Sequence, residues 1–332
     1  MLQNAGVGST SNIEQSDRGQ IANVQQTGDD NLSDILQTQR ENSASVMQTG
    51  TANISDVIQD GELGEVSVVQ TGPENMSTAD QDNNTDRGDV FVNQNGARNI
   101  SVTFQDDGDS TITHTQTGND NSADTFQGSE DSSSTITQTG DRNTARVVRQ
   151  GVNFSGPADD NNVSTIVQTG DDNFGSIEQV SQDTTHSLTQ TGNRNSSVTV
   201  IGVDSPSDVP ESGTATINQT GDDNTSTITV AAEDSDVFVD QIGDMNVSTV
   251  TQVAGGLTNF VDVNQTGDNG LSTITQTGTS NSATLNQGGA FNESVITQTG
   301  LSNTATVGQG GNGDFSSVAQ NGTGNMATVS QN

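Results

Sequence analysis

Two histidines, His114 and His186, carry the only side chains of this 332-residue chain whose ordinary pKa lies near neutrality. They stand 72 positions apart, with no Cys and no Lys anywhere to join them. Nucleophilic, Schiff-base and most acid–base arrangements therefore lack their parts, and a two-imidazole metal site has nothing to complete it. Acidic clusters offer a second possible chemistry. Gly28-Asp29-Asp30-Asn31, Gly170-Asp171-Asp172-Asn173 and Gly221-Asp222-Asp223-Asn224 put paired carboxylates where calcium could meet them. None has the spacing of an EF-hand loop or of the glycine-rich nonapeptide of calcium β-rolls, so they read as well-solvated turns. The same arcs are not phosphate loops, because no helix and no Lys follow. The residues assign no catalytic group, no metal and no cofactor, and the chain reads as a non-enzyme.

Composition narrows the classes further. Forty-three acidic against eight basic side chains leave a net charge of −35, hydrophobic residues make up 27%, and mean hydropathy is −0.60. A surface this negative repels phosphate, which argues against nucleic-acid binding. No run of about 20 apolar residues is present to span a membrane. Such a composition alone points to disorder, since few large apolar groups cannot offset chain entropy. Internal repetition overrides that reading.

Gln recurs every eleven residues. From Gln265 the ladder runs through Gln276, Gln287, Gln298, Gln309 and Gln320 to Gln331, and backward it reaches Gln15. There are 28 ladder positions, and all are Gln except Arg149, Ile201 and Val230. Nineteen extra residues are inserted at four places: two after Gln81, eight after Arg149, seven after Ile201 and two after Gln252. Each unit reads Q-x-G-x-x-N-x-[SA]-x-[VI]-x-Q. In Gln26 to Gln37, four residues rich in Gly, Asp and Asn precede seven with strict alternation, which is a turn followed by a strand. Asn31, Ser33, Ile35 and Gln37 then share one face, and Leu32, Asp34 and Leu36 the other. The first face is held nearly constant from unit to unit and is therefore packed. The other drifts among Thr, Asp, Glu, Leu and Val and reads as solvated.

A lone strand of this kind cannot bury itself, so the units must stack. The expected fold is all-β: a β-solenoid with two strands per rung, strand-arc-strand, its rungs stacked into two parallel sheets. Residues 1–8 form a lead-in, and 9–332 one continuous solenoid of 28 eleven-residue units. Edge insertions fall near 82–87, 150–161, 202–212 and 253–258. Fourteen rungs at about 4.8 Å each would span roughly 65–70 Å. All four insertions follow odd-numbered strands and so share one edge. Pro73 lies in an arc, while Pro157, Pro206 and Pro210 lie in insertions, so none interrupts a ladder strand. Buried amides need partners, and in-register stacking lets each Gln or Asn bond its copy one rung away. The expected inner ladder comprises Gln26, Gln37, Gln48, Gln70, Gln116, Gln138, Gln168, Gln190, Gln219, Gln265, Gln276, Gln287, Gln298, Gln309, Gln320 and Gln331. With it go Asn31, Asn53, Asn121, Asn143, Asn173, Asn195, Asn224, Asn281, Asn292 and Asn303, beside Ser33 and Ile35. The arcs turn at Gly28, Gly50, Gly72, Gly118, Gly140, Gly170, Gly192, Gly221, Gly267, Gly278 and Gly300. His114, His186 and Arg149 also fall on the inner face, and Arg149 must swing outward at its insertion or bury a charge.

This unit resembles the curlin repeat of curli, the extracellular amyloid fibres of bacterial biofilms. In Ser272 to Gln287, the pattern Q-x-G-x-x-N-x-A-x3-Q falls on Gln276, Gly278, Asn281, Ala283 and Gln287. Ser134 to Arg149 follows it except at the last position, and Ser164 to Gln179 has Gly175 in place of Ala. The resemblance runs from about Ser9 to Gln331, some 14 double repeats. It implies a structural subunit of an extracellular, cell-surface, curli-like amyloid fibre serving biofilm matrix and adhesion. It also implies that the chain polymerises with itself by cross-β stacking between subunits. A minor nucleator subunit and an outer-membrane secretion channel are the partners it implies; nucleic acid and a membrane span are not among them.

Three expectations complete the reading. Met1-Leu2-Gln3-Asn4 shows no secretory signal peptide, so the sequence reads as a mature form, uncapped at both ends and open to head-to-tail stacking. The alternative is a monomeric, secreted adhesive solenoid whose insertions, Gly151 to Asn161 and Gly202 to Ser212, recognise a ligand. The acid excess without Lys suggests a halophilic habitat, where salt screens like charges between rungs. Outward Thr rows such as Thr111, Thr113, Thr115 and Thr117, or Thr273, Thr275 and Thr277, invite comparison with ice-binding solenoids. Neighbouring units carry Asp, Leu or Arg outside, so Thr reads here as an exposed strand former.

Overall fold

The computed structural model describes residues 2–4, 6–82, 86–106, 108–149, 161–180, 182–202, 211–253 and 255–332. They fall in two compact units, Met1–Asp171 and Asp172–Asn332. Every regular element among the described residues is a strand.

The first unit opens with β1 (Leu2–Asn4), β2 (Thr10–Gln15), β3 (Ile21–Thr27), β4 (Leu32–Gln37), β5 (Ser43–Thr49), β6 (Ile54–Gln59) and β7 (Glu65–Thr71). It continues with β8 (Met76–Gln81), β9 (Asp89–Ala97), β10 (Ile100–Gln105), β11 (Thr111–Asn119), β12 (Ser122–Gln127), β13 (Ser133–Thr139), β14 (Thr144–Arg149) and β15 (Val163–Thr169). The second unit holds β16 (Phe174–Gln179), β17 (Gln182–Thr191), β18 (Ser196–Ile201), β19 (Glu211–Thr220), β20 (Thr225–Val230), β21 (Ser235–Ile242) and β22 (Val247–Gln252). After these come β23 (Phe260–Gln265), β24 (Leu271–Thr279), β25 (Ser282–Gln287), β26 (Glu293–Leu301), β27 (Thr304–Gln309), β28 (Phe315–Thr323) and β29 (Met326–Gln331). Within each unit the odd strands pair in parallel into one sheet and the even strands into another. Each unit is thus a β-solenoid of two stacked parallel sheets, with two strands to a rung.

Register is exact to the residue. Gln26 pairs with Gln48 and Gln48 with Gln70 in the odd sheet, as Gln37 does with Gln59 in the even sheet. Insertions are absorbed entirely at the arcs, since Gln138 still meets Gln168 and Gln190 still meets Gln219. The residues expected to be a lead-in include the short strand β1, which sets Gln3 beside Gln26. Most of the insertions 150–161 and 202–212, with Pro157, Pro206 and Pro210, lie outside the described residues, as does the side chain of Arg149. Pro73 sits in the arc between β7 and β8.

The core is a thin layer between the sheets. In the first unit Val24, Val46, Val68 and Val92 stack on the odd side, and Ile35 and Val57 on the even side, all within 2% of fully buried. Each such side chain contributes about 1.5–3 kcal/mol on burial. Outward residues are less uniformly polar than their drift suggests. Leu32, Ile54, Met76 and Ile100 form one continuous column on the even sheet, and Phe104 stacks on Phe126 with centroids 4.9 Å apart. The reason is geometric: residues sharing an outer column are about 22 positions apart, whereas the drift compares residues 11 apart, which lie on opposite sheets.

Candidate functional site: the amide ladders and their arcs

All the expected ladder Gln side chains are inward. They are buried apart from Gln331, which is half-exposed. Along the odd sheet Gln Nε2 donates to the Oε1 of the Gln on the next rung: Gln26 to Gln48 at 2.9 Å, Gln48 to Gln70 at 2.9 Å, and Gln70 to Gln94 at 2.9 Å. The even sheet follows the same pattern from Gln37 to Gln59 at 2.8 Å but breaks at Gln127, whose Oε1 has no donor. In the second unit Gln265 donates to Gln287 at 2.9 Å, Gln287 to Gln309 at 2.8 Å, and Gln309 to Gln331 at 3.1 Å. The second Nε2 hydrogen crosses to the opposite sheet, as from Gln48 to the Leu32 carbonyl and from Gln70 to the Ile54 carbonyl. Stack and cross-link together satisfy a buried amide donor, and every donor points toward the C-terminal end of the stack.

Asn ladders run the other way. Asn53 Nδ2 donates back to Asn31 Oδ1 at 3.0 Å, and Asn75 does the same to Asn53 at 3.2 Å. The same Nδ2 reaches forward to an arc glycine: Asn31 to the Gly50 carbonyl at 2.9 Å, Asn53 to Gly72 at 2.8 Å, and Asn121 to Gly140 at 2.7 Å. This explains the G-x-x-N spacing, because the Asn of one rung holds the glycine carbonyl of the next. Asn173, Asn195, Asn224, Asn281, Asn292 and Asn303 make the same reach to Gly192, Gly221, Gly243, Gly300, Gly311 and Gly322. Glycine is required where arcs stack. Gly50 has φ +131°, and a Cβ there would sit 2.1 Å from the Gly72 carbonyl oxygen. Of the expected arc glycines, Gly267 alone lacks positive φ; close approach to Gly289 explains it instead.

Sequence reasoning missed the residue two after that glycine. It adopts the left-handed conformation in arc after arc whatever its type: Asp30, Ala52, Glu74, Arg98, Asp120 and Arg142 all have φ between +55° and +60°. From Glu74 through Arg98 and Asp120 to Arg142 the exposed side chains there alternate in sign, and Arg98 donates to Asp120 at 2.7 Å as Arg194 does to Asp223. These guanidinium groups hold the Asp120 and Asp223 carboxyls below the usual carboxylate range. Only a comparison at 22-residue spacing reveals the alternation.

The non-Gln ladder positions behave differently. Ile201 and Val230 are 1% exposed and simply extend the apolar core. Because Val230 has no amide, the Oε1 of the next Gln, Gln252, is buried without a donor. His114 replaces a core hydrophobe. Its Nδ1 lies 2.8 Å from Ser101 Oγ and its Nε2 2.7 Å from Thr125 Oγ1, both on the even sheet. Full burial pushes its pKa down to about 3, so it is a neutral cross-link. His186 is likewise fully buried, on a different rung in the second unit. On the outer faces carboxyls lie near one another: Asp34 and Asp56 share a column, while Asp262 pairs with Phe238 and has Asp240 in the adjoining column. Burial, then Asp34, raises the pKa of Asp56; burial, then Asp240, raises that of Asp262.

Among the described residues, no group of three or more His, Asp or Glu is placed to hold a metal ion, and no helix is long and apolar enough to cross a membrane. The arrangement does one thing well: it repeats a directional amide bond along an axis. No curated protein matches the chain. The family model for the curlin associated repeat matches residues 212–243, 278–311 and 300–332, all in the second unit. Over those residues the chain is similar to the curlin associated repeat.

Proposed function

We propose that the chain is a structural subunit of an extracellular, curli-like amyloid fibre that grows by stacking one copy on another. The observation that carries this reading is the directional Gln ladder of the odd sheet, in which each amide donates forward and accepts from behind. A rung built this way presents acceptors on one side and donors on the other, so rungs of two copies are as complementary as rungs of one. Stacking of copies along this axis is heterologous and non-closing, which yields a fibre. The resemblance to curlin repeats supports a role in biofilm matrix and adhesion, with export through an outer-membrane channel and seeding by a minor subunit. The acid excess fits assembly in a salt-rich medium, where screening removes repulsion between like-charged columns.

Electron microscopy of the purified chain tests this, with thioflavin-T fluorescence and size-exclusion chromatography alongside. Unbranched fibres with a cross-β repeat of about 4.8 Å are expected. A chain that stays monomeric for days, at high salt and low, would falsify the reading.

A further inference from the structure

Thr is inconspicuous when consecutive units are compared, yet the fold gathers it. On the outer face of the even sheet in the second unit, Thr227 pairs with Thr249 and Thr229 with Thr251. The next rung sets Thr273 and Thr275 beside them, and the one after adds Thr297. Val198, Val200 and Val295 continue the same two columns, with a methyl where Thr has its hydroxyl. The Asp, Leu and Arg that interrupt the sequence at eleven-residue spacing lie on the opposite sheet or in other columns. The ten positions of these two columns carry no charge, bounded by Glu178 beside Val200 and by Glu293 in the next column on β26, in a chain whose net charge is −35.

We propose that this face, on β20, β22, β24 and β26, is an ice-binding surface. Backbone pairing fixes its rows about 4.8 Å apart, and alternate residues along each strand stand roughly 6.6–6.8 Å apart. Both distances are close to oxygen repeats of the hexagonal ice lattice. Thr is stiff at χ1, so stacked copies repeat one orientation of hydroxyl and methyl. Among the described residues no protein acceptor takes a bond from these Thr hydroxyls, so they are left for water. Thr227 and Thr297 are exposed and the others half-exposed. Beneath them the inner face keeps the rows level: Ser226, Ser248 and Ser272 are buried, and Ser272 bonds Ser248 at 3.0 Å. A flat, uncharged array whose methyls order water and whose hydroxyls bond it presents a template to the crystal. The surface works on one copy or a fibre and does not depend on how copies associate.

The test is ice-recrystallisation inhibition and ice-crystal shaping by the whole chain. The double variant Thr251→Lys with Thr273→Lys should lose the larger part of the inhibition. The matched variant on the other sheet of the same unit, Asn286→Lys with Thr306→Lys, should keep it. Thr251→Ser with Thr273→Ser, which spares the fold and removes two methyls, should also weaken it. Circular dichroism and thioflavin-T growth check that each variant still folds and assembles. A wild-type chain that leaves ice unshaped overturns the proposal, and so does equal inhibition by the two Lys variants.

Discussion

The two sheets of the second unit differ in what they tolerate at the ladder position. The odd sheet carries Gln190, Gln219, Gln241, Gln265, Gln287, Gln309 and Gln331 without a break. The even sheet carries Gln179, Ile201, Val230 and Gln252 before returning to Gln276, Gln298 and Gln320. Both sheets keep register throughout, and every ladder side chain but the half-exposed Gln331 is buried. The even sheet therefore demonstrates that apolar side chains can fill the slot. What they cannot do is hand a hydrogen bond onward, and the defect appears one rung later, at Gln252 Oε1. A ladder is thus not needed to fold a rung; it is needed to propagate direction from rung to rung.

The largest effect should come from cutting the unbroken ladder. Gln287→Ala with Gln309→Ala removes the acceptor of Gln265 and the donor to Gln331. It also empties two slots. At about 1–3 kcal/mol for each buried group left unmade, the pair should lower the urea midpoint sharply and slow fibre growth. Outward Thr275→Ser with Thr297→Ser should stay within about 0.5 kcal/mol. Equal losses from the two pairs would refute the inner assignment.

Next in size is a pH effect at the His114 cross-link, which joins the sheets through an imidazole. His114 resists protonation until about pH 3, while an unfolded His takes its proton near 6.5. The unfolded state therefore binds more protons between these values, and stability falls as pH drops through that window. At about 1.4 kcal/mol per pH unit, the limiting loss is several kcal/mol. The carboxyls of Asp56 and Asp80, both raised first by burial, act oppositely, adding stability as acid neutralises them. Thermal melting of His114→Val across the same range should show a shallower acid decline than the parent, whatever its stability at neutral pH. Parallel pH profiles would mean that His114 titrates normally.

These features were unequally legible in the sequence. The strands, both sheets and the inward Gln and Asn could be read directly, because a two-residue alternation locked to an eleven-residue ladder leaves one packing solution. Position alone said nothing of ladder direction, since which amide hydrogen goes forward depends on where the opposite carbonyl lies, as at Leu32 and Ile54. The outward columns escaped notice for a different reason. Leu32 and Ile54, or Thr229 and Thr251, are neighbours only after strands are dealt alternately to two sheets. The left-handed arc position carries no residue signature at all; stacking imposes it on Arg98 and Ala52 alike. Strand β1 is three residues long, too short for alternation to register.

A restored donor should give a smaller effect than a lost one. Val230→Gln would supply an amide to Gln252 Oε1 on one side. On the other it faces Ile201, so its own Oε1 would be the new orphan. The defect moves one rung rather than vanishing, and the net change should stay within about 1 kcal/mol. Adding Ile201→Gln should close the gap and shift the melting temperature upward, because Gln179 already carries the amide that faces position 201. If Val230→Gln alone stabilises as much as the pair, propagation along the ladder is not what matters.

The smallest effect should fall on the even sheet of the first unit, where Ser33, Ser55 and Ser77 stack at the inner face. All three are within 1% of full burial, and none of their hydroxyls has a partner. In the second unit the corresponding Ser272 and Ser316 do better, bonding Ser248 at 3.0 Å and Ser294 at 2.9 Å. An unmade buried hydroxyl costs about 1–3 kcal/mol, and its removal loses almost no packing volume. Ser55→Ala should therefore be neutral or slightly stabilising, and Ser272→Ala slightly destabilising. Ala123 and Ala145 already occupy this position on neighbouring even strands and are buried to within 1%. The sign of the difference between the two substitutions, read from urea midpoints, is the decisive quantity. Ser197 and Ser226 in the second unit are as unpartnered as Ser55, so the contrast is between single hydroxyls, and a loss at Ser55 as large as that at Ser272 would mean that the Ser55 hydroxyl finds a partner after all.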